Sequence, residues 1–212
     1  MDIYKTPIDH KEEKINVLTH FPGILFGLTA MPILIGYALY HANLDIAAGI
    51  IVYAICFLLV FTASTLFHLQ NSGRLRMLLK KLDHISIYFM IAGTYTPFIL
   101  IYVNNEFGMK LLVVLWSLSL LGTVFKIFFT GKMEILSVLI YLCMGWMCLT
   151  GAEEFFGGMP LAVKALVIFG GMLYSIGVVF YVWRLHAYHH AIWHIFVLIE
   201  AICHFTAVSL SL

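Results

Sequence analysis

Hydrophobic residues come along this chain in seven long runs, at approximately 17–40, 45–69, 82–103, 109–129, 134–152, 162–184 and 190–211. Short polar breaks separate them: HANLD, NSGRLRMLLKK, NNEFGMK, FTGKME, EEFFGGMP and RLHAYHH. A helix crossing a bilayer needs about 20 mostly apolar residues at 1.5 Å of rise each. Lipid offers no partner to an open backbone N–H or C=O, so the spans are all helices or all strands of a closed barrel. None of the runs alternates polar and apolar positions with period two, which decides for helices. The pattern predicts an all-α integral membrane protein, a seven-transmembrane-helix bundle forming one domain over residues 1–212.

Composition agrees and excludes other classes. Hydrophobic residues make up 62% of the chain and charged ones 11%, with a mean hydropathy of +0.99. A soluble domain carries about 25% charged residues. The formal net charge of +1 provides no basic field to gather phosphates, so no nucleic-acid partner is expected. The polar opening MDIYKTPIDHKEEK is followed by a run too long for a signal-peptide core and without a small-residue cleavage site, so that run reads as a retained span. Cys56, Cys143, Cys148 and Cys203 form no CxxC and read as small buried hydrophobes.

Basic residues set the direction. With the N-terminus cytoplasmic, the inner segments hold Lys5, Lys11, Lys14, Arg74, Arg76, Lys80, Lys81, Lys126, Lys132 and Arg184, and the outer ones only Lys110 and Lys164. That bias places the N-terminus inside and, after seven crossings, the C-terminus outside.

Against this apolar background a few polar groups stand out, because titratable side chains in a span need a partner or a task. Span 1 opens with Glu13, Asn16 and His20; span 2 ends with Ser64 and His68; span 3 begins with Asp83 and His84; span 7 begins with His190 and His194. Residues four apart share a helix face, so Ser64 and His68 point to one spot, as do His190 and His194. With spans alternating in direction, all four groups reach the cytoplasmic third of the bundle. Three imidazoles meeting there would make a zinc site with an open fourth position. A carboxylate nearby could take a proton from water at the metal, and a serine hydroxyl could donate to a developing oxyanion.

Each residue has a plainer reading by itself. Ser64 could be a helix-packing residue, Asp83 a surface partner of Lys80 and Lys81, and Glu13, Asn16 and His20 the anchor of the first helix, with Asn16 or Thr19 as its cap. His186 and His189 compete with His190 and His194; the latter pair is preferred because Trp193 and the apolar residues after it put His194 within the membrane. His84 would point about 100° away from Asp83 around its helix. Glu200 and His204 form a separate i,i+4 pair deeper in span 7.

E-x-x-N-x-x-x-H in span 1, S-x-x-x-H closing span 2, Asp opening span 3 and H-x-x-x-H opening span 7 together resemble the progestin and adiponectin receptor family. The short chain is most similar to its bacterial branch, the hemolysin III proteins, with kinship to the alkaline ceramidases. The resemblance implies that His68, His190 and His194 ligate zinc. It implies that Asp83 holds the water and acts as general base, and that Ser64 sits beside the metal and polarises the substrate carbonyl. Glu13, Asn16 and His20 would brace the site or shape its entrance. The expected function is then a zinc-dependent intramembrane hydrolase of a lipid amide or ester, in the bacterial cytoplasmic membrane and tied to membrane lipid homeostasis. The alternatives are a lipid-sensing, receptor-like protein with a structural zinc, or a hemolysin-type cytolytic protein. The sequence names no protein partner.

Overall fold

The computed structural model describes residues 9–183 and 187–212. Lys5, Arg184 and His186 lie outside them. The described residues form helices α1 (His10–His41), α2 (Leu44–Leu69), α3 (Gly73–Tyr102), α4 (Glu106–Phe129), α5 (Glu134–Gly145), α6 (Ala152–Gly157), α7 (Leu161–Val182) and α8 (His189–Ser209), with a 3-10 turn at Met147–Gly151 between α5 and α6. α5, this turn and α6 together make one crossing, so seven segments are long and apolar enough to span a membrane. The chain is a multi-pass membrane protein.

Two helices begin about two turns before their apolar runs. α1 starts at His10 because Asp9 caps it, its carboxylate accepting from the backbone N–H of Lys11 at 2.9 Å. Asn16 and Thr19 therefore lie inside the helix, and the expectation that either caps it is corrected. α3 starts at Gly73, nine residues before the apolar run, because Arg76 secures its first turns. The guanidinium donates to the carbonyl of Phe67 at 3.1 Å and to that of Gln70, and lies 4.5 Å from the centre of the Phe67 ring. Those carbonyls belong to the end of α2 and its C-cap, where that of Phe67 also accepts from the Gln70 N–H at 3.2 Å.

The fifth crossing is broken where continuous helix was expected. Tyr95 of α3 wedges into it, its hydroxyl donating to the carbonyl of Gly145 at 2.7 Å and accepting from the N–H of Cys148 at 3.1 Å. Both backbone groups freed by the break thus find a partner inside the bilayer, which is what makes a broken helix tolerable there.

α3 is the most buried span and packs against α2, α4 and α5, while α1 and α7 flank α8. α1 approaches α2 closely through Gly23 and Gly27; a Cβ at either would fall 2.3 Å from the Phe61 ring or 2.6 Å from Leu58. Small residues of this kind let helix backbones meet where the hydrophobic effect gives no drive between them. Large aliphatic side chains such as Ile33, Val113, Leu121 and Ile135 are exposed on the outside, as a lipid-facing surface requires. Of the cysteines, Cys56 and Cys148 are buried, but Cys143 is exposed on that outer surface and Cys203 is half-buried. In lipid an apolar thiol can face outward as well as inward.

Candidate metal centre

The start of α1, the end of α2 and the starts of α3 and α8 meet at one end of the bundle. His68, His190 and His194 come together there, and each can offer one ring nitrogen such that all three atoms lie within 4.8 Å of one another. The ring centres are 5.1 Å apart for His68 and His190, 5.1 Å for His68 and His194, and 4.5 Å for His190 and His194. His68 and His194 are buried and His190 is half-buried. This cluster could hold a metal ion.

The hydrogen bonds around two of these rings fix which nitrogen is free. Glu13 Oε2 lies 2.5 Å from His68 Nδ1. A carboxylate accepts, so Nδ1 carries the proton and Nε2 keeps its lone pair. Nε2 is buried and has no hydrogen-bond partner. At His194, Nδ1 is 3.2 Å from the backbone carbonyl of Asn16, an acceptor only, and 3.2 Å from Thr19 Oγ1. Its Nε2 is again the nitrogen with the lone pair. Metal-ligating histidines almost always give their other N–H to a carboxylate or carbonyl in this way. The donor set therefore fits a divalent metal that takes imidazole ligands, zinc among them.

The first helix supplies this bracing. Glu13 also accepts from Arg76 through its other oxygen, so one carboxylate ties α1 to both α2 and α3. Asn16 contributes through its backbone, since its side-chain amide is 3.4 Å from His68 Nδ1 and the carboxylate is much nearer. His20 stacks on His194 with ring centres 3.6 Å apart and an interplanar angle of 18°. Both of its nitrogens are buried without a hydrogen-bond partner, and it stands outside the group of three.

Ser64 and Asp83 are both buried and line the same cavity as His190 and His194. The Ser64 hydroxyl has the Asp83 carboxylate as a neighbour but completes no hydrogen bond of ordinary geometry. Asp83 also lines a polar vestibule with Glu12, Glu13, Lys80 and His190. The cavity itself is mostly apolar and runs along α3 from Asp83 to Phe98, a rise of about 22 Å. The three-histidine cluster thus stands where a polar vestibule meets a long apolar channel.

Three neighbours of the cluster are given no part in it by sequence reasoning. Thr19 and Arg76 act through contacts with helices far off in the chain, and no local pattern marks them. His84 lines the cavity beside Asp83 despite the 100° between successive helix positions, because cavity and vestibule together wrap that part of α3. Its Nδ1 is 3.1 Å from Nζ of Lys126, a lysine only 1% exposed. Of the competitors, His189 lines the vestibule but stands outside the group of three, with Nδ1 3.2 Å from the carbonyl of Phe180.

A family model described as haemolysin-III related matches residues 8–205. The chain is 39% identical over 188 residues to the hemolysin-3 homolog of Bacillus subtilis (strain 168), covering 89% of this chain and 88% of that one. Its identity to hemolysin-3 of Bacillus cereus is 37% over 188 residues, 89% of this chain and 86% of the other. The monocyte to macrophage differentiation factor of Homo sapiens is 28% identical over 211 residues, 93% of this chain and 83% of the other.

Proposed function

The chain belongs to the haemolysin-III related family, and from that premise and the site geometry we propose that it is a zinc-dependent hydrolase of a lipid amide or ester. The observation that carries the proposal is the position of the three-histidine cluster at the junction of a polar vestibule and an apolar channel. One reactant, water, arrives from the first and the other, an acyl chain, from the second.

His68, His190 and His194 would hold the zinc, which would supply a Lewis acid and lower the pKa of water to about 7. The chain's own groups do the rest. Asp83, with the vestibule on one side and the channel on the other, orients the attacking water, takes its proton and returns it to the leaving amine or alcohol as the acyl C–N or C–O bond breaks. The Ser64 hydroxyl, which completes no hydrogen bond inside the protein, donates to the substrate carbonyl oxygen as negative charge develops on it. The apolar walls hold the acyl chain and keep the reacting bond near the mouth. Glu13, the Asn16 carbonyl and Thr19 keep the imidazoles in the ligating tautomer. We place this end of the bundle at the cytoplasmic face of the bacterial inner membrane, from the excess of Lys and Arg there.

A sensor with a structural zinc fits less well, since structural zinc sites usually have four protein ligands and the group among the described residues has three. The test is release of free fatty acid from a ceramide and from an N-acylethanolamine in mixed micelles. Metal-loaded wild type should hydrolyse at least one. Asp83→Asn should keep its metal and lose activity by about 10²–10⁴-fold, the usual loss of a general base. No release from these amides or from the matching esters would contradict the proposal.

A further inference from the structure

In the middle and deeper part of the apolar channel its wall turns polar again. Glu200 and His204 of α8, Thr94 of α3 and Tyr174 of α7 all line it. Glu200 is six residues beyond His194 and His204 ten beyond, so the pair lies about 9–15 Å further into the bundle by helix rise. Thr94 is eleven residues beyond Asp83, about 16 Å along α3 by the same rise. Three helices thus bring polar side chains to a similar depth.

The hydrogen bonds of this ring are incomplete. Glu200 Oε1 is bonded to His204 Nδ1 at 2.5 Å, and His204 Nε2 reaches the carbonyl of Val167 at 3.3 Å. The imidazole is fully engaged, while Glu200 keeps a second oxygen as acceptor. Thr94 Oγ1 and the Tyr174 hydroxyl are buried and have no partner. Buried hydroxyls are rarely left unpaired, so an oxygen-bearing guest would be held there. The wall offers both an acceptor carboxyl and hydroxyls that can donate. A hydroxyl, with one proton and two lone pairs, answers both needs.

We propose that this ring is a second recognition site in the channel, which binds a neutral hydroxyl on the hydrocarbon part of the lipid while the acyl carbonyl lies at the metal cluster. The inference rests on the reading of the channel as the acyl-binding site. Its consequence is a ruler: lipids with an oxygen in mid-chain are preferred over plain ones, and over those hydroxylated next to the carbonyl or near the terminal methyl.

Trp146 and Trp193 line the channel, so binding can be followed by their fluorescence in detergent-purified full-length protein, without turnover. The probes are octadecanamide and a series of hydroxyoctadecanamides with the hydroxyl moved along the chain. Wild type should bind the mid-chain isomer about tenfold more tightly than octadecanamide, the scale of one buried hydrogen-bonding group. In Thr94→Val/Tyr174→Phe, which keeps near-native shape, that preference should fall to about twofold or less, with octadecanamide affinity retained. Equal binding of all the amides by wild type would overturn the second site and leave the channel standing, as filling by water alone would produce. A preference that survives in the double variant would overturn the assignment to these residues. Failure of every amide to bind would overturn the acyl channel and the ruler with it.

Discussion

Among the described residues, two carboxylate–imidazole pairs have nearly the same contact distance and different surroundings. Glu13 meets His68 Nδ1 at 2.5 Å, and Glu200 meets His204 Nδ1 at 2.5 Å. The difference lies on the far side of each ring. His68 Nε2 is buried without a hydrogen-bond partner and faces two other imidazoles, whereas His204 Nε2 is held by the Val167 carbonyl at 3.3 Å. A ring that gives one proton to a carboxylate has a lone pair left for a metal. A ring that faces an acceptor at both nitrogens has no lone pair to offer a metal. Proximity to a carboxylate therefore does not make a histidine a ligand; the open opposite nitrogen does.

Removing the two rings in turn should separate these roles most sharply. His68→Ala should lose the bound metal and retain the fold. His204→Ala should retain metal in whatever folds, but lose about 3–5 kcal/mol of stability, because a buried acid is left without its partner. Thermal unfolding beside metal analysis of the folded fraction reads both. If His204→Ala loses metal without loss of stability, the two pairs are not distinct.

The next largest effect tests the carboxylates. Glu13→Gln weakens the acceptor behind a ligand and should lower metal affinity about 10–100-fold, measured by chelator competition. Glu200→Gln should leave that affinity unchanged. A smaller effect concerns how His204 is seated. Gly170 of α7 faces it, and a Cβ there would meet Nε2 at 2.8 Å. With the ring fixed at both nitrogens, Gly170→Ala should destabilise the bundle by about 1–3 kcal/mol and leave metal content unchanged.

The same comparison shows how far sequence alone reaches. Hydropathy exposes the seven crossings, since each must carry its own apolar length, and helical spacing pairs Ser64 with His68 and His190 with His194. The Glu200–His204 pair is legible for the same reason, as both partners lie on one helix. Glu13 and His68 are 55 positions apart, and their contact depends on α1 starting early at an Asp9 cap and on Arg76 drawing α3 toward the same carboxylate. The break in the fifth crossing is equally hidden, because Tyr95, which satisfies it, belongs to α3. What the sequence leaves open is what one helix does to another.

The most direct test of the account is metal content of detergent-purified protein prepared without chelators, wild type beside His194→Ala and Ser64→Ala. About one zinc per chain in wild type and in Ser64→Ala, and almost none in His194→Ala, is the expected result. Metal-free wild type, or zinc retained in His194→Ala, would contradict it.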